Sequence, residues 1–389
     1  MDEHSHQPSA TERDEPWRPQ GCRRVALVLQ GGGALGAYQA GVYEGMGEAG
    51  IGLDWIAGVS IGAINGALMA GNPPERRLAA LQEFWSTVTN ERLWPPGVEL
   101  HGGDLARQWR HEASAALTMA LGQPGFFKPN MPSPWFSTAG APTATAFYDT
   151  APLRQTLRRL VDFDRLNDGR IRFSVGAVNV GSGNFAFFDS ARMQITEDHV
   201  LASGALPPAF PMIRVGTDDY WDGGLVSNTP LQHLLDNLEG HNTLAFQVDL
   251  FSARGAIPRS MPAVMSRQKD IQYSSRTRLV TDAYRRIRSL ERDLQRALDM
   301  VPEERLDDRQ RDLKRRLARM PEVVILQMIY QQQTHEGQAK DYEFSTTAMR
   351  EHWRSGLEDT RATLRQGHWL AMPPPGSEIV VHDVHRTPA

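Results

Sequence analysis

Two short apolar runs, each ended by glycines and followed by a helix-like stretch, lie within Arg24 to Ala70 and constrain what this chain can fold into. The first, Val25-Ala26-Leu27-Val28-Leu29, runs into Gln30-Gly31-Gly32-Gly33-Ala34-Leu35-Gly36. The second, Trp55-Ile56-Ala57, runs into Gly58-Val59-Ser60-Ile61-Gly62 and the small-residue stretch Ala63 to Gly71. A repeated strand, glycine turn and helix predicts parallel strands joined by helical crossovers. The fold class expected is therefore α/β, a three-layer α/β/α sandwich with a mostly parallel central sheet.

Each turn also carries chemistry. A serine with glycine two residues to either side, between a strand and a helix, is the sequence of a nucleophile elbow, so Ser60 is a candidate nucleophile. Its hydroxyl is a weak nucleophile at neutral pH and needs a positioned base. The amides of Gly31, Gly32 and Gly33, at a helix start and clear of side chains, suit the negative oxygen of a tetrahedral intermediate. The same glycines fit the dinucleotide fingerprint G-x-G-x-x-G, which wants an acidic residue ending the second strand to hold a ribose. Here that strand ends in Gly58-Val59-Ser60, and Asp54 lies before it.

Downstream, Tyr220-Trp221-Asp222-Gly223-Gly224 places an aspartate in a glycine turn ahead of the helix-like Asn228 to Leu238. With this motif the sequence resembles the patatin-like phospholipases, which carry a glycine-rich oxyanion turn, G-x-S-x-G, and D-G-G or D-G-A in that order. The segment Ala202-Ser203-Gly204-Ala205-Leu206-Pro207, followed by Phe210-Pro211, looks like a further family segment. The resemblance covers about Arg23 to Leu250. It implies a catalytic Ser60–Asp222 dyad without histidine, an oxyanion hole at Gly31 to Gly33, and motif glycines at Gly36, Gly58, Gly62, Gly223 and Gly224. The implied reaction is acyl transfer from a lipid or other ester to water, with no cofactor and no metal. Many family members carry Arg or Lys where this chain has Leu35, so a neutral ester or short acyl substrate is more open than an anionic phospholipid.

Rivals are few. A Ser–His–Asp triad would draw on the 12 histidines, of which His199, His233 and His241 lie in the right part of the chain, none in a glycine turn. A catalytically silent lipid-binding or scaffold protein is the alternative function. Cys22, the one cysteine, excludes a disulfide within the chain and a cysteine metal site. The net charge of −4 argues against nucleic acid as partner. With a mean hydropathy of −0.44 and no long apolar run, the chain is expected to be cytoplasmic, any membrane contact being peripheral. The sequence leaves the oligomeric state open.

Along the chain, Met1 to Gln20 reads as a disordered tail and residues 21–255 as the catalytic domain. Helices are expected over Ala34 to Ala49, Ile61 to Ala70, Leu78 to Val88, about Ala151 to Leu160, and Glu197 to Ser203. Strands are expected at Arg170 to Val180, Asn184 to Asp189 and Thr243 to Phe251. The insert 91–148, irregular and aromatic around Phe126-Phe127 and Trp135-Phe136, suits a lid or an ordinary packed loop. Residues 256–371 read as a C-terminal helical extension with a late strand, Glu322 to Ile329. Its stretch Arg267 to Arg319 holds 16 Lys plus Arg against 10 Asp plus Glu, which suits anionic lipid or a solvated helical hairpin. From Met372 the Pro-rich sequence reads as a loose tail.

Overall fold

The computed structural model describes residues 16–89, 114–275, 277–332, 339–377 and 379–385. Among these, nine strands form one sheet: β1 (Arg24–Leu29), β2 (Trp55–Val59), β3 (Arg172–Asn179), β4 (Phe185–Asp189), β5 (Ile213–Val215), β6 (Asp218–Asp222), β7 (Thr243–Asp249), β8 (Val323–Ile329) and β9 (Val380–Asp383). Their order is β9-β8-β7-β1-β2-β3-β6-β5, with β4 on β3. From β9 to β3 all neighbours pair in parallel; β4 and β6 run antiparallel to β3, and β5 antiparallel to β6. The principal helices are α1 (Ala37–Glu48), α2 (Ile61–Ala70), α3 (Pro74–Val88), α4 (Ala151–Leu160), α5 (Glu197–Ser203), α6 (Leu231–Asp236), α7 (Met261–Tyr273), α8 (Thr277–Asp299), α9 (Asp308–Leu317) and α10 (Thr346–Leu364).

Side chains alternate across a strand, and here both sides are covered. Val25, Leu27 and Leu29 of β1 pack with α1, α2 and α3 in the larger core, while Ala26 and Val28 face Leu231, Leu234 and Leu235 of α6 in a second core. The three-layer sandwich is therefore the observed architecture. The glycines of α1 meet α10: a Cβ on Gly41 would strike the Trp353 carbonyl, and one on Gly45 would lie 2.7 Å from Thr360. Close helix packing thus offsets the helix-propensity cost of these two glycines.

The described residues nearest the two ends, from 16 and up to 385, are more ordered than composition suggests. Trp17 bridges to Ile51, its N–H donating to the Gly50 carbonyl at 2.9 Å, and Arg18 pairs with Asp54 at 2.8 Å; the expected tail up to residue 15 lies outside the described residues. In the stretch expected to be a loose tail, Val380–Asp383 joins the sheet edge beside β8, and Ile379 is buried in the second core. Period-2 alternation in four residues is too short a signal to stand out from Pro-rich flanks. Of the insert, residues 91–113 lie outside the described residues; a helix at 114–121, absent from the expectation, precedes the buried Phe126 and Phe127. Within the basic stretch, α8 and α9 form a hairpin closed by Leu298, Leu306 and Leu317, and acids three residues away pair Arg285, Arg296, Arg311 and Arg315. No described helix is long and apolar enough to cross a membrane.

Candidate active site

Ser60 stands at the sharp turn between β2 and α2 with φ 55° and ψ −124°, a conformation that costs a non-glycine residue about 1–3 kcal/mol. Its surroundings compensate. The Ser60 N–H donates to Ser203 Oγ at 2.8 Å, and that hydroxyl donates to the Gly176 carbonyl at 2.6 Å. Ser203 thus ties the elbow to β3. The Ser60 carbonyl accepts from the Ala63 and Ile64 amides at 2.9 and 3.2 Å, starting α2. Gly62 allows the turn to close, since a Cβ there would strike the Leu29 carbonyl of β1.

Asp222 reaches this turn through sheet topology. Strand β2 stops where Val59 pairs with Gly176, and β6 takes up pairing at the next position, Ala177 with Asp222. Because β4 occupies the other edge of β3 at Ala177, β6 fills the edge that β2 vacates. The aspartate therefore arrives beside the serine, near enough for the Ser60 side chain to lower its pKa, and the two line one cavity. The Gly224 N–H donates to Asp222 Oδ1 at 2.7 Å, which explains Gly223-Gly224 in the turn. Burial raises the Asp222 pKa from 3.8 to about 7, more than Ser60 and the hydrogen bond from Gly224 lower it. Desolvation thus gives a lone carboxylate the strength of a physiological base.

The glycine-rich turn is pinned from behind. Asn228 Nδ2 donates to the Gly31 carbonyl at 3.0 Å and to the Tyr273 carbonyl at 2.9 Å. Gln30 donates to the Tyr273 carbonyl and to Thr229, and its Oε1 accepts from the Leu250 and Phe251 amides. The Gly31 N–H already donates to the Asn228 carbonyl at 3.2 Å, so of the three glycines Gly32 and Gly33 are left for an oxyanion. Gly33 has φ +56°, and a Cβ on it would strike the Asp341 carbonyl. Gly36 packs on Ile61, and Leu35 is fully buried in the larger core.

These parts line one cavity of about 70 Å³. Besides Ser60, Asp222 and the glycines 31–33, its walls include Phe126 and Phe127 from the insert and Tyr273, Tyr342 and Phe344 from the later chain. Two ion pairs fasten that later segment to α7: Lys340 to Asp270 at 2.7 Å and Lys269 to Asp341 at 2.5 Å.

A family model described as patatin-like phospholipase matches residues 27–235, more than half of the chain. The chain belongs to the patatin-like phospholipase family. A second model, described as patatin phospholipase, matches residues 271–376. Curated relatives share a shorter segment with this family member. Lysophospholipase nte1 of Aspergillus terreus is 60% identical over 48 residues, 12% of this chain and 3% of that protein. Patatin-like phospholipase domain-containing protein 7 of Rattus norvegicus is 54% identical over 62 residues, 16% of this chain and 5% of that protein. The matched segments thus span 3–5% of these relatives' own length. Among solved structures, VipD from Legionella pneumophila aligns over 88% of this chain and 67% of its own at 14% identity, with a TM-score of 0.37.

In this patatin-like chain the three motifs meet at one cavity, while the described histidines stay away from it. No described cavity-lining residue is a histidine. His199 Nδ1 accepts the Thr196 N–H in a capping box, His233 is buried against Asp189 and Phe187, and His241 lies beside Arg24. Asp54, out of place for a ribose, accepts the Val25 N–H at 2.7 Å and braces the far end of β1. Two polar residues behind the site lacked an assigned role in the sequence: Ser203, although its segment stood out, and Asn228, seen only as a helix start. The aromatic wall from Tyr342 and Phe344 had no motif at all.

Proposed function

We propose that this protein hydrolyses carboxylic esters of lipids through a Ser60–Asp222 dyad and an acyl-enzyme intermediate. The observation that carries the reading is that the Ser60 side chain and the Asp222 carboxylate, buried and with a pKa raised to about 7, line one largely apolar cavity together. Ser60 Oγ attacks the ester carbonyl as its proton passes to Asp222. The amides of Gly32 and Gly33 bind the oxygen that becomes negative. Collapse of the tetrahedral intermediate expels the alcohol, which leaves with the proton from Asp222. Water then adds to the acyl-enzyme, giving its proton to Asp222; Ser60 recovers that proton as the acid departs. An apolar wall suits the acyl part of a lipid, and the exposed Trp135 and Phe136 on the insert offer surface that a lipid aggregate would cover.

The test is hydrolysis of p-nitrophenyl esters and of phosphatidylcholine vesicles by the wild type and by folded Ser60→Ala. Activity in the wild type that is lost in the variant supports the reading. Equal activity in both sinks Ser60 as nucleophile, and inactivity of both on every ester favours the lipid-binding alternative.

A further inference from the structure

We infer that Lys269, Asp270, Lys340 and Asp341 form a clamp that holds the oxyanion turn in its binding conformation, so that residues far outside the three motifs position the Gly33 amide. The inference rests on the esterase reading and adds positioning residues to that same site. Gly33 stands at φ +56°, a left-handed conformation that glycine enters about as readily as it leaves. A run of three glycines therefore does not fix the direction of its own amides, and neighbours must do so. One neighbour is the Asp341 carbonyl, which lies against Gly33 where a side chain would project. Another is the Tyr273 carbonyl at the end of α7. It accepts from Gln30 Nε2 at 3.0 Å and from Asn228 Nδ2 at 2.9 Å, and Asn228 Nδ2 also reaches the Gly31 carbonyl at 3.0 Å. Both carbonyls belong to the later chain.

The two are joined by a reciprocal pair of ion pairs. Helix α7 carries Lys269-Asp270 and the segment before Phe344 carries Lys340-Asp341, the same residue types in the same order. Each lysine takes the other element's aspartate: Lys340 Nζ meets Asp270 at 2.7 Å, and Lys269 Nζ meets Asp341 at 2.5 Å. Lys340 and Asp270 are 5% and 7% exposed, and Lys340 Nζ also donates to Gln332 at 3.1 Å. Lys269 Nζ lies 4.8 Å from the centroid of the Tyr342 ring, and Tyr342 lines the cavity. An apolar contact would tolerate a small slip between the two elements. Paired charges in a buried setting do not, because a slip strands them out of water. The clamp thus fixes one register, and with it the place of the Asp341 carbonyl against Gly33.

The experiment measures kcat and KM for p-nitrophenyl butyrate, and Ki for an alkyl trifluoromethyl ketone. The proteins are the wild type, Lys269→Met, Asp341→Asn, the double variant and Arg18→Met, each checked for folding by circular dichroism. Ser60 Oγ adds to the ketone carbon as its proton passes to Asp222, and the former carbonyl oxygen takes the negative charge that the Gly32 and Gly33 amides bind. Ki therefore reads the oxyanion site directly, whereas unfolding of part of the sample lowers kcat and leaves Ki unchanged. Each single variant should lower kcat about ten- to a hundredfold with KM within about twofold, as a small misplacement of catalytic groups does, and should raise Ki by a similar factor. The double variant should lose no more than the worse single one, because two halves of one pair fail together. Arg18→Met breaks the Arg18–Asp54 pair at the far end of β1 and should move neither quantity. Variants that keep kcat and Ki overturn the inference, as does a loss of kcat without a rise in Ki, a loss that multiplies in the double variant, or an equal loss in Arg18→Met. If the wild type cleaves no ester and the ketone does not bind, the esterase reading fails first and takes this inference with it, an outcome distinct from an active wild type with unchanged variants.

Discussion

Asp222 and Asp189 are two buried aspartates with opposite electrostatics. They are 3% and 2% exposed, and each has a serine side chain beside it, Ser60 at Asp222 and Ser174 at Asp189. Both end a strand that runs antiparallel to β3. Asp189 also faces the Arg172 guanidinium at 2.7 Å and His233 Nε2 at 3.1 Å. Burial pushes its pKa up, but the bonds from His233 and Arg172 outweigh that and hold it well below the usual carboxylate range. At Asp222 burial prevails. Ser174, His233 and Asp189 have the residue types of a hydrolytic triad, yet Ser174 is fully buried and its hydroxyl accepts the Trp55 indole N–H at 2.9 Å. On the proposed reading, what sets Ser60 apart from Ser174 is its access to the cavity and, among the described residues, a carboxylate neighbour without an ion pair, more than the side-chain types gathered around it.

The comparison breaks at once if the wrong serine carries the reaction. Ser60→Ala should lower kcat/KM for a p-nitrophenyl ester by about 10³-fold or more, as removal of a nucleophile does elsewhere. Ser174→Ala should leave it within a few-fold. Parallel kinetics on the two purified variants decide the matter, and a large loss in Ser174→Ala alone would reverse the assignment.

Asp222→Asn sharpens the contrast because activity and stability should move in opposite directions. The wild-type kcat/KM should climb with pH through about 7 and level off above it, since the base must be ionised. The variant should lose about 10³-fold or more of that activity. Stability follows the opposite sign. Between pH 4 and 7 folded Asp222 keeps a proton that the unfolded chain has lost, so its contribution falls as pH rises across that window. A pKa of about 7 in place of 3.8 corresponds to a penalty of up to about 4 kcal/mol above pH 7. Asparagine can keep the bond from Gly224 without the charge, so urea melts at pH 8 should show the variant to be the more stable protein. A variant that is less stable at pH 8 would contradict the electrostatic account of Asp222.

At Asp189 both signs invert. Its depressed pKa gives stability that is present above pH 4 and is lost as the pH falls further. Asp189→Asn leaves Arg172 inside without its main partner, although Glu239 remains at 2.9 Å on the surface side. The expected cost is about 3–5 kcal/mol at pH 7, as for other broken buried pairs, with kcat/KM of the folded fraction unchanged. Urea melts with an activity assay of the same samples check both halves.

The division between what the sequence revealed and what it hid follows the same contrast. Ser60, Asp222 and their glycines stood out because a tight turn admits few residue types, and because the family that the sequence resembles carries its three motifs in this order. Helix α1 was legible through the four-residue spacing of Tyr38, Val42 and Met46, α2 through its run of small and apolar residues, and α4 through a proline in its first turn. Hidden from the sequence was everything set by long-range contact. The ion pairs of α7 with Lys340 and Asp341 join residues about 70 positions apart in irregular sequence. The strand Val380–Asp383 gains its identity from β8, and Phe344 its role from a ring on the insert more than 200 positions earlier. The Gly31 amide, counted among the oxyanion donors on sequence alone, has a partner in Asn228 that only the folded chain provides.

The smallest effect is expected at Ser203, the hydroxyl that accepts the Ser60 N–H and donates to the Gly176 carbonyl. It touches neither the acyl carbon nor the proton in transit, so it is a positioning residue. Ser203→Ala strands a buried amide at a strained turn and frees a buried carbonyl, with a cost of about 1–3 kcal/mol in stability. Because the elbow is strained, some of that cost should appear as a wandering nucleophile: kcat falls by about ten- to a hundredfold while KM for the same ester stays within twofold. The pH profile should still rise through about 7, since Asp222 keeps its burial and its Gly224 bond. Loss of stability with kcat intact would mean that β2, α2 and Gly62 hold the elbow without Ser203. A shifted pH profile would mean that Ser203 acts on the base as well, and that the environment of Asp222 extends beyond burial and Gly224 to the hydroxyl behind the elbow.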